Sequence, residues 1–171
     1  MIPSNLPFIK LLLLDVDGVL TTGQVVYNDS GEEIKAFSVK DGFGLRVAMD
    51  NGIRVGIVTG RGSGALRHRC RNLAIDLIFD NVSDKAALLP GITGQTGVKA
   101  GHMAFVGDDL PDIPLMRRVG LAVAVADAAP EVIAAAHMVT AAKGGCGAVR
   151  EICEALLKAR GDWESILEGY S

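Results

Sequence analysis

The chain has 171 residues, which is a common length for one domain, and its formal net charge is −3 at pH 7. Hydrophobic residues make up 49% and charged residues 22%, a balance typical of a folded globular protein. The negative net charge argues against a nucleic-acid-binding protein. The apolar run at residues 11–14 is too short for a membrane span or a secretion signal. We therefore expect a cytoplasmic protein that acts on a small molecule, with no nucleic-acid or membrane partner.

Short apolar runs alternate with helix-length segments along the chain. Each apolar run ends in turn-forming or charged residues, as expected for strands that are buried on both faces. The predicted strands cover residues 9–14, 54–58 and 102–106, with weaker candidates at 77–79, 121–125 and 138–140. The predicted helices cover residues 43–51, 63–72, 84–89 and 148–159. The alternation predicts a doubly wound, Rossmann-like α/β fold, in which helices cover both faces of a parallel sheet.

The segment at about residues 24–39 interrupts this alternation. Two apolar stretches, 25–27 and 34–37, flank the turn-rich sequence Asn28-Asp29-Ser30-Gly31, a pattern that predicts a β-hairpin. We expect the hairpin to form a small flap. Because the sequence contains no linker, repeat or low-complexity block, we expect residues 1–171 to form a single domain without a large cap domain.

Polar residues follow three of the predicted strands. Asp15 and Asp17 follow the first strand, Thr59 the second, and Asp108 and Asp109 the third. Open parallel sheets bind ligands outside the carboxyl ends of their strands, so we expect these side chains to share one site. Clustered carboxylates repel one another, and a hard divalent cation such as Mg²⁺ relieves that repulsion. The pattern therefore predicts a magnesium site.

The same residues are suited to phosphoryl transfer. Lys85 supplies a positive charge for a nucleophilic carboxylate and for phosphate oxygens, and Thr59 can donate its hydroxyl to the same phosphate. We expect Asp15 to attack phosphorus and form an aspartyl phosphate. Asp17, two residues later, can protonate the leaving oxygen and then activate water. Catalysis of this kind depends mainly on positioning and on neutralisation of charge.

Four ordered motifs resemble those of the haloacid dehalogenase superfamily of phosphatases. They are Asp15-Val16-Asp17-Gly18-Val19, Thr59-Gly60-Arg61, Lys85, and Gly107-Asp108-Asp109 followed by Asp112. Each motif alone is weak, but four in this order are specific. Three longer segments, 37–44, 59–63 and 144–151, further resemble the 3-deoxy-D-manno-octulosonate 8-phosphate phosphatases. The resemblance covers almost the whole chain.

The resemblance implies magnesium-dependent hydrolysis of 3-deoxy-D-manno-octulosonate 8-phosphate. It makes Asp15 the nucleophile and a metal ligand, Asp17 the acid/base and a ligand through its backbone carbonyl, and Asp108 the third protein ligand. Thr59 and Lys85 would hold the phosphate. The implied substrate contacts are Asp17, Ser38, Val39, Lys40, Asp41, Gly42, Arg46, Thr59, Gly60, Arg61, Arg69 and Lys85. The family also implies a homotetramer in which the hairpins meet at the centre and a neighbour closes each active site.

Several alternatives stay open at this point. The motifs do not distinguish octulosonate from nonulosonate phosphates, although the arginines, Arg61 among them, indicate a substrate with a carboxylate. Gly60-x-Gly62-x-x-Ala65, with Asp80 further on, also matches a dinucleotide-binding fingerprint, but an oxidoreductase would leave the acidic motifs without a role. In a phospho-accepting receiver the acidic pair follows the first strand and the acceptor aspartate comes later. This chain instead begins with Asp-x-Asp and has Gly-Asp-Asp later. A catalytically inactive assembly subunit would not need the acid/base and lysine positions.

Overall fold

The structure is a computed structural model that describes residues 3–170. Its strands are β1 (Leu11–Leu14), β2 (Val26–Tyr27), β3 (Glu33–Ile34), β4 (Arg54–Val58), β5 (Leu77–Phe79), β6 (Met103–Gly107), β7 (Leu121–Ala124) and β8 (Met138–Val139). Its α-helices are α1 (Val39–Asp50), α2 (Gly64–Leu73), α3 (Leu89–Thr96), α4 (Ile113–Met116), α5 (Pro130–Ala135), α6 (Ala148–Arg160) and α7 (Trp163–Glu168). In this part of the chain, no helix is both long and apolar enough to cross a membrane.

Six strands form one parallel sheet in the order β5-β4-β1-β6-β7-β8. The chain starts at the centre with β1, builds one side through β4 and β5, and then returns to build the other side from β6. The four leucines of β1 are all 0% exposed, which explains why this strand is an uninterrupted apolar run. The carboxyl end of β1 therefore lies at the point where the strand order reverses, which is the usual place for a ligand.

Helix α6 shows how the helices cover the sheet. Its buried side chains Val149, Ile152, Cys153 and Leu156 follow the three- and four-residue spacing of one helix face. This helix packs against α1. The opposite face carries charged residues, as expected for a helix that covers a core on one side only. The predicted doubly wound α/β fold is confirmed.

The hairpin forms where the sequence predicts it. Strands β2 and β3 pair antiparallel, with Val26 opposite Ile34. The side-chain Oδ1 of Asn28 accepts the backbone N–H groups of Ser30 (3.0 Å) and Glu32 (2.9 Å), and this closes the turn. Val26 and Ile34 are exposed, so the hairpin presents apolar side chains away from the core. We call residues 24–39 the flap.

Several elements differ from the sequence prediction. Helix α1 begins four residues earlier than predicted, and the short helices α4 and α5 were not predicted. The segment predicted as a helix at 84–89 is a 3₁₀ helix over Ala86–Leu88 that leads directly into α3. Pro90 lies in the first turn of α3, where it removes no intrahelical hydrogen bond, so the helix continues through it. The polar tail that follows α6 contains α7, whose six residues give too short a pattern to detect.

Candidate active site

A cavity of about 450 Å³ lies at the carboxyl ends of β1, β4 and β6. It collects the polar residues that follow these strands, together with a lysine from the loop after β5. Its walls include Asp15, Asp17, Thr59, Gly60, Arg61, Lys85, Asp108, Asp109 and Asp112. The structure therefore brings together all four catalytic candidates and the predicted metal-binding side chains.

The loop after β1 places two aspartates at the cavity. The backbone N–H of Asp15 donates to the carbonyl of Val106 (3.0 Å), so Asp15 continues the ladder between β1 and β6. The chain then turns sharply at Gly18, whose φ of +85° favours glycine. A Cβ atom at Gly18 would lie only 2.0 Å from Oδ2 of Asp108. Glycine at this position therefore allows the first and fourth motifs to approach each other.

Lys85 is buried between two carboxylates. Its Nζ lies 2.9 Å from Oδ1 of Asp15 and 2.6 Å from Oδ1 of Asp112. Burial lowers the pKa of Lys85, but Asp15 and Asp112 together raise it by more, so the net pKa is raised. Lys85 therefore stays charged beside the proposed nucleophile.

Asp112 was not assigned a role from the sequence, and the structure shows what it does. Its Oδ1 accepts from Lys85, and its Oδ2 accepts the backbone N–H groups of Asp108 (2.9 Å) and Asp109 (3.3 Å). Asp112 is 1% exposed. It therefore fixes both the lysine and the loop that follows β6. The only sequence signal was its place four residues after Asp108, one turn into the following helical segment.

Three carboxylates crowd the floor of the cavity. Oxygens of Asp15, Asp108 and Asp112 lie within 4.8 Å of one another. Burial, and then the charge of Asp112, raise the pKa of Asp15 to about 6. Burial, and then the charge of Asp15, raise the pKa of Asp108 to about 7. The single positive charge of Lys85 therefore does not offset the three carboxylates gathered here.

These residues fit a magnesium ion. Oδ1 of Asp108 is buried and has no hydrogen-bond partner among the described residues. Mg²⁺ takes one or two carboxylates and keeps several waters, so Asp15 and Asp108 are suitable ligands. Both oxygens of Asp112 already accept hydrogen bonds, which leaves this residue to support the ligands. When bound, the ion would neutralise the carboxylates and the phosphate oxygens.

Thr59 directly follows β4 and is 2% exposed. Its backbone carbonyl accepts the N–H of Val82 (3.1 Å), which holds the loop before Lys85 beside the cavity. Asn81 in this loop has a φ of +57°, a left-handed conformation in which asparagine is one of the few tolerated residues other than glycine. Oδ1 of Asn81 also accepts the N–H of Gly62 (3.3 Å). Asparagine therefore performs the conformational role that glycine often has in such loops.

Asp17 has two carboxylate oxygens in different surroundings. Oδ1 forms an ion pair with Lys35 of the flap, whereas Oδ2 is buried and has no partner within residues 3–170. Arg61 lines the same cavity, and its guanidinium lies 3.2 Å from Glu33, also in the flap. The flap therefore contacts the first and second motifs through side chains that the sequence alone did not single out.

A second group of predicted substrate contacts does not line this cavity within a single chain. The group is Ser38, Val39, Lys40, Asp41, Gly42, Arg46 and Arg69. Oγ of Ser38 caps α1, and Arg69 donates to the carbonyl of Ser38 (2.9 Å). The carboxylate of Asp41 accepts the N–H groups of Gly147 (3.3 Å) and Arg150 (2.8 Å). Arg46 donates to the carbonyl of Asn72. These residues surround the N-terminus of α1.

The glycine-rich segment at 144–147 supports the catalytic loop of its own chain. A Cβ atom at Gly144 would lie 1.6 Å from the carbonyl oxygen of Gly18. The N–H of Gly145 donates to the carbonyl of Val19 (2.8 Å). The backbone of this segment therefore lies directly against the turn that carries Asp15 and Asp17. The sequence alone did not indicate this contact.

An Asp-x-Asp loop and a Gly-Asp-Asp loop that meet beside a buried lysine at one sheet edge define a haloacid dehalogenase-like hydrolase. The profile of that family matches residues 69–152. The 3-deoxy-D-manno-octulosonate 8-phosphate phosphatase of Escherichia coli is 46% identical over 153 residues, which are 90% of this chain and 81% of that protein. The chain therefore belongs to the 3-deoxy-D-manno-octulosonate 8-phosphate phosphatase family. The resemblance inferred from the motifs is confirmed.

Solved structures support the same assignment. The Moraxella catarrhalis 3-deoxy-D-manno-octulosonate 8-phosphate phosphatase, in complex with magnesium ion, phosphate ion and KDO, superimposes with a TM-score of 0.96. It is 38% identical, and the match covers 99% of this chain and 98% of that chain. The Yersinia pestis enzyme superimposes with a TM-score of 0.93 at 41% identity, over 95% of this chain and 88% of that chain. The fold is thus shared over nearly the full length.

Proposed function

We propose that this chain is a magnesium-dependent phosphatase that hydrolyses 3-deoxy-D-manno-octulosonate 8-phosphate to 3-deoxy-D-manno-octulosonate and phosphate. The observation that carries the proposal is the position of Lys85, which is 2.9 Å from Asp15 in a cavity that also contains Asp17, Thr59 and Asp108. The identity with the Escherichia coli enzyme supports the substrate, and the Moraxella catarrhalis complex supports the magnesium ion.

The catalytic side chains divide the proposed reaction among them. A carboxylate oxygen of Asp15 attacks phosphorus, and the bond between phosphorus and the sugar oxygen breaks. Asp17 gives its proton to that leaving oxygen and then removes a proton from the water that hydrolyses the aspartyl phosphate. Lys85 and the hydroxyl of Thr59 hold the phosphate oxygens. Asp15, the backbone carbonyl of Asp17 and Asp108 would hold the magnesium ion.

The exposed arginine of the cavity supports a substrate that carries a carboxylate. Arg61 lines the cavity and its side chain is 48% exposed, so its guanidinium is accessible to an acid group on the sugar. A nonulosonate 9-phosphate has the same acid group and is the alternative substrate. The dinucleotide alternative has lost support, because Asp80 forms an ion pair with Arg67 (2.7 Å) in place of binding a ribose.

We further propose a cytoplasmic homotetramer of single-domain subunits in which the flaps meet and neighbouring chains complete the active sites. Val25, Val26, Tyr27 and Ile34 expose apolar surface on the flap, which is the kind of surface that an interface covers. Val39, at the start of α1, is 82% exposed. The predicted substrate contacts around the N-terminus of α1 lie outside the cavity of their own chain, so they would serve a neighbouring subunit's cavity.

One experiment tests the proposed activity. Purified protein is assayed for phosphate release from a panel of sugar phosphates, with magnesium and with a chelator. We expect the highest kcat/KM with 3-deoxy-D-manno-octulosonate 8-phosphate, and no turnover in chelator. Asp15→Asn should lose several orders of magnitude in kcat, whereas Asp29→Asn in the exposed flap turn should not. A neutral sugar phosphate as the best substrate would contradict the assignment, and a monomer by mass measurement in solution would contradict the assembly.

A further inference from the structure

Lys35 is the one flap residue whose charged group reaches the catalytic acid/base. Its side chain is only 2% exposed, and Nζ forms ion pairs with Oδ1 of Asp17 and with Oε1 of Glu33, the latter at 2.9 Å. Burial lowers the pKa of Lys35, but Asp17 and Glu33 raise it by more, and its ammonium group stays charged. A buried ammonium group paired with two carboxylates holds both of them in a defined orientation.

We propose that Lys35 is a positioning residue that orients the carboxylate of Asp17 toward the leaving group. Lys35 occupies Oδ1 of Asp17, and Oδ2 is buried and unpartnered among the described residues. Because Lys35 holds Oδ1, Oδ2 is the oxygen left to carry the proton. This inference rests on the proposed phosphatase function and adds a residue to its machinery. In the first step the proton moves from Oδ2 to the sugar oxygen as the bond between phosphorus and that oxygen breaks.

Glu33 fixes the otherwise flexible lysine. Glu33 lies in β3 and Lys35 directly follows that strand, and their ion pair shows that the two side chains lie on the same side of the hairpin. Oε1 of Glu33 also accepts from Arg61 (3.2 Å). The chain of contacts runs from Asp17 through Lys35 and Glu33 to Arg61. The flap thereby joins the acid/base residue to the arginine that we propose to bind the substrate carboxylate.

The alternative roles of Lys35 make different predictions. A lysine that bound the substrate directly would mainly change KM, and a lysine that only held the flap would affect every substrate equally. A positioning residue for Asp17 acts on the proton transfer to the leaving oxygen. Its effect therefore depends on how much the leaving group needs that proton. 4-Nitrophenolate leaves readily without protonation, whereas a sugar alkoxide does not.

The test compares Lys35→Met, Lys35→Arg and Glu33→Gln with wild type at saturating magnesium. First-turnover rates are measured with 3-deoxy-D-manno-octulosonate 8-phosphate and with 4-nitrophenyl phosphate, and KM is measured for both. Lys35→Met should slow the first turnover of the sugar phosphate by roughly 10- to 100-fold, because misplaced catalytic groups cost about that much. The loss with 4-nitrophenyl phosphate should be much smaller, and KM should stay close to wild type.

The other variants serve as internal checks. Lys35→Arg should recover part of the loss because it keeps the charge, and Glu33→Gln should lose less than Lys35→Met because the lysine remains. Adding Lys35→Met to Asp17→Asn should cause no further loss, since the residue that Lys35 positions is already disabled. Lys99→Met, at an exposed position before β6, should match wild type.

Three results would overturn the proposal: equal losses with both substrates, a change confined to KM, or losses that add in the double variant. A Lys35→Met protein that does not fold leaves Lys35→Arg and Glu33→Gln to carry the same comparison. Wild-type inactivity with every sugar-acid phosphate would contradict the proposed function instead. In that case the comparison of Lys35 variants is made with the best sugar phosphate that wild type hydrolyses, so the two failures are distinguishable.

Discussion

The charge of Asp108 can be tested without any activity measurement. In the metal-free chain the pKa of Asp108 rises from 3.8 to about 7 because the carboxylate is partly buried beside Asp15. Between these two values the native state holds a proton that the unfolded state has released. The free energy of unfolding therefore falls as pH rises through this window, and the full penalty is present above about pH 7. Asp108→Asn stays neutral and removes the penalty.

The expected size follows from the shift. The raised pKa sets an upper limit of about 4 kcal/mol at pH 8, and the partial solvent exposure of Asp108 reduces the expected effect to about 2 kcal/mol. For a chain of this length that corresponds to roughly 6 °C in Tm. In chelator, Asp108→Asn should therefore melt higher than wild type at pH 8, and the difference should shrink toward pH 4. Magnesium should raise the Tm of wild type and should have little effect on the variant.

Thermal melts followed by circular dichroism, at several pH values with chelator or magnesium, provide the measurement. Asp29→Asn makes the same chemical change at an exposed position in the flap turn and should follow wild type throughout. Parallel Tm curves for wild type and Asp108→Asn between pH 4 and pH 8 would refute the idea that this carboxylate is destabilised by burial and by its neighbours.

Three further substitutions test the supporting structure. Asp112→Asn removes one partner of a buried ion pair, so it should lower stability by about 3 kcal/mol in chemical denaturation; an unchanged midpoint would contradict this. Gly144→Ala places a methyl group against Gly18, so it should reduce kcat by roughly 100-fold in steady-state kinetics, and unaltered kcat would refute the contact. Arg61→Ala should raise KM about tenfold for a carboxylate-bearing substrate, whereas Arg67→Ala should not; equal kinetics for the two variants would dismiss Arg61 as a substrate ligand.

The sheet and the centre of the site were predictable because their signals are local. A buried parallel strand needs an unbroken apolar run, and residues 11–14 form one that ends at Asp15. Because parallel strands have their carboxyl ends at the same edge of a sheet, Asp15, Thr59 and Asp108 come together there whatever the details of the loops. The structure confirms this arrangement and the hairpin, whose turn is specified by Asn28 and Gly31.

The supporting contacts were not predictable because they depend on side-chain direction and on close backbone approach. Asp112 lies in the fourth motif, but only the geometry shows that it pairs with Lys85. Lys35 lies in an otherwise apolar hairpin segment, and no sequence rule states that a hairpin folds back on the acid/base residue. The contact between Gly144 and Gly18 joins segments that are far apart in sequence.

That last contact sets an order of events during synthesis. The turn that carries Asp15 and Asp17 emerges from the ribosome long before Gly144 and Gly145 do. Until they do, the carbonyl of Val19 lacks the N–H of Gly145 as its donor. A nascent chain therefore carries Asp15 long before the contact that supports its turn can form.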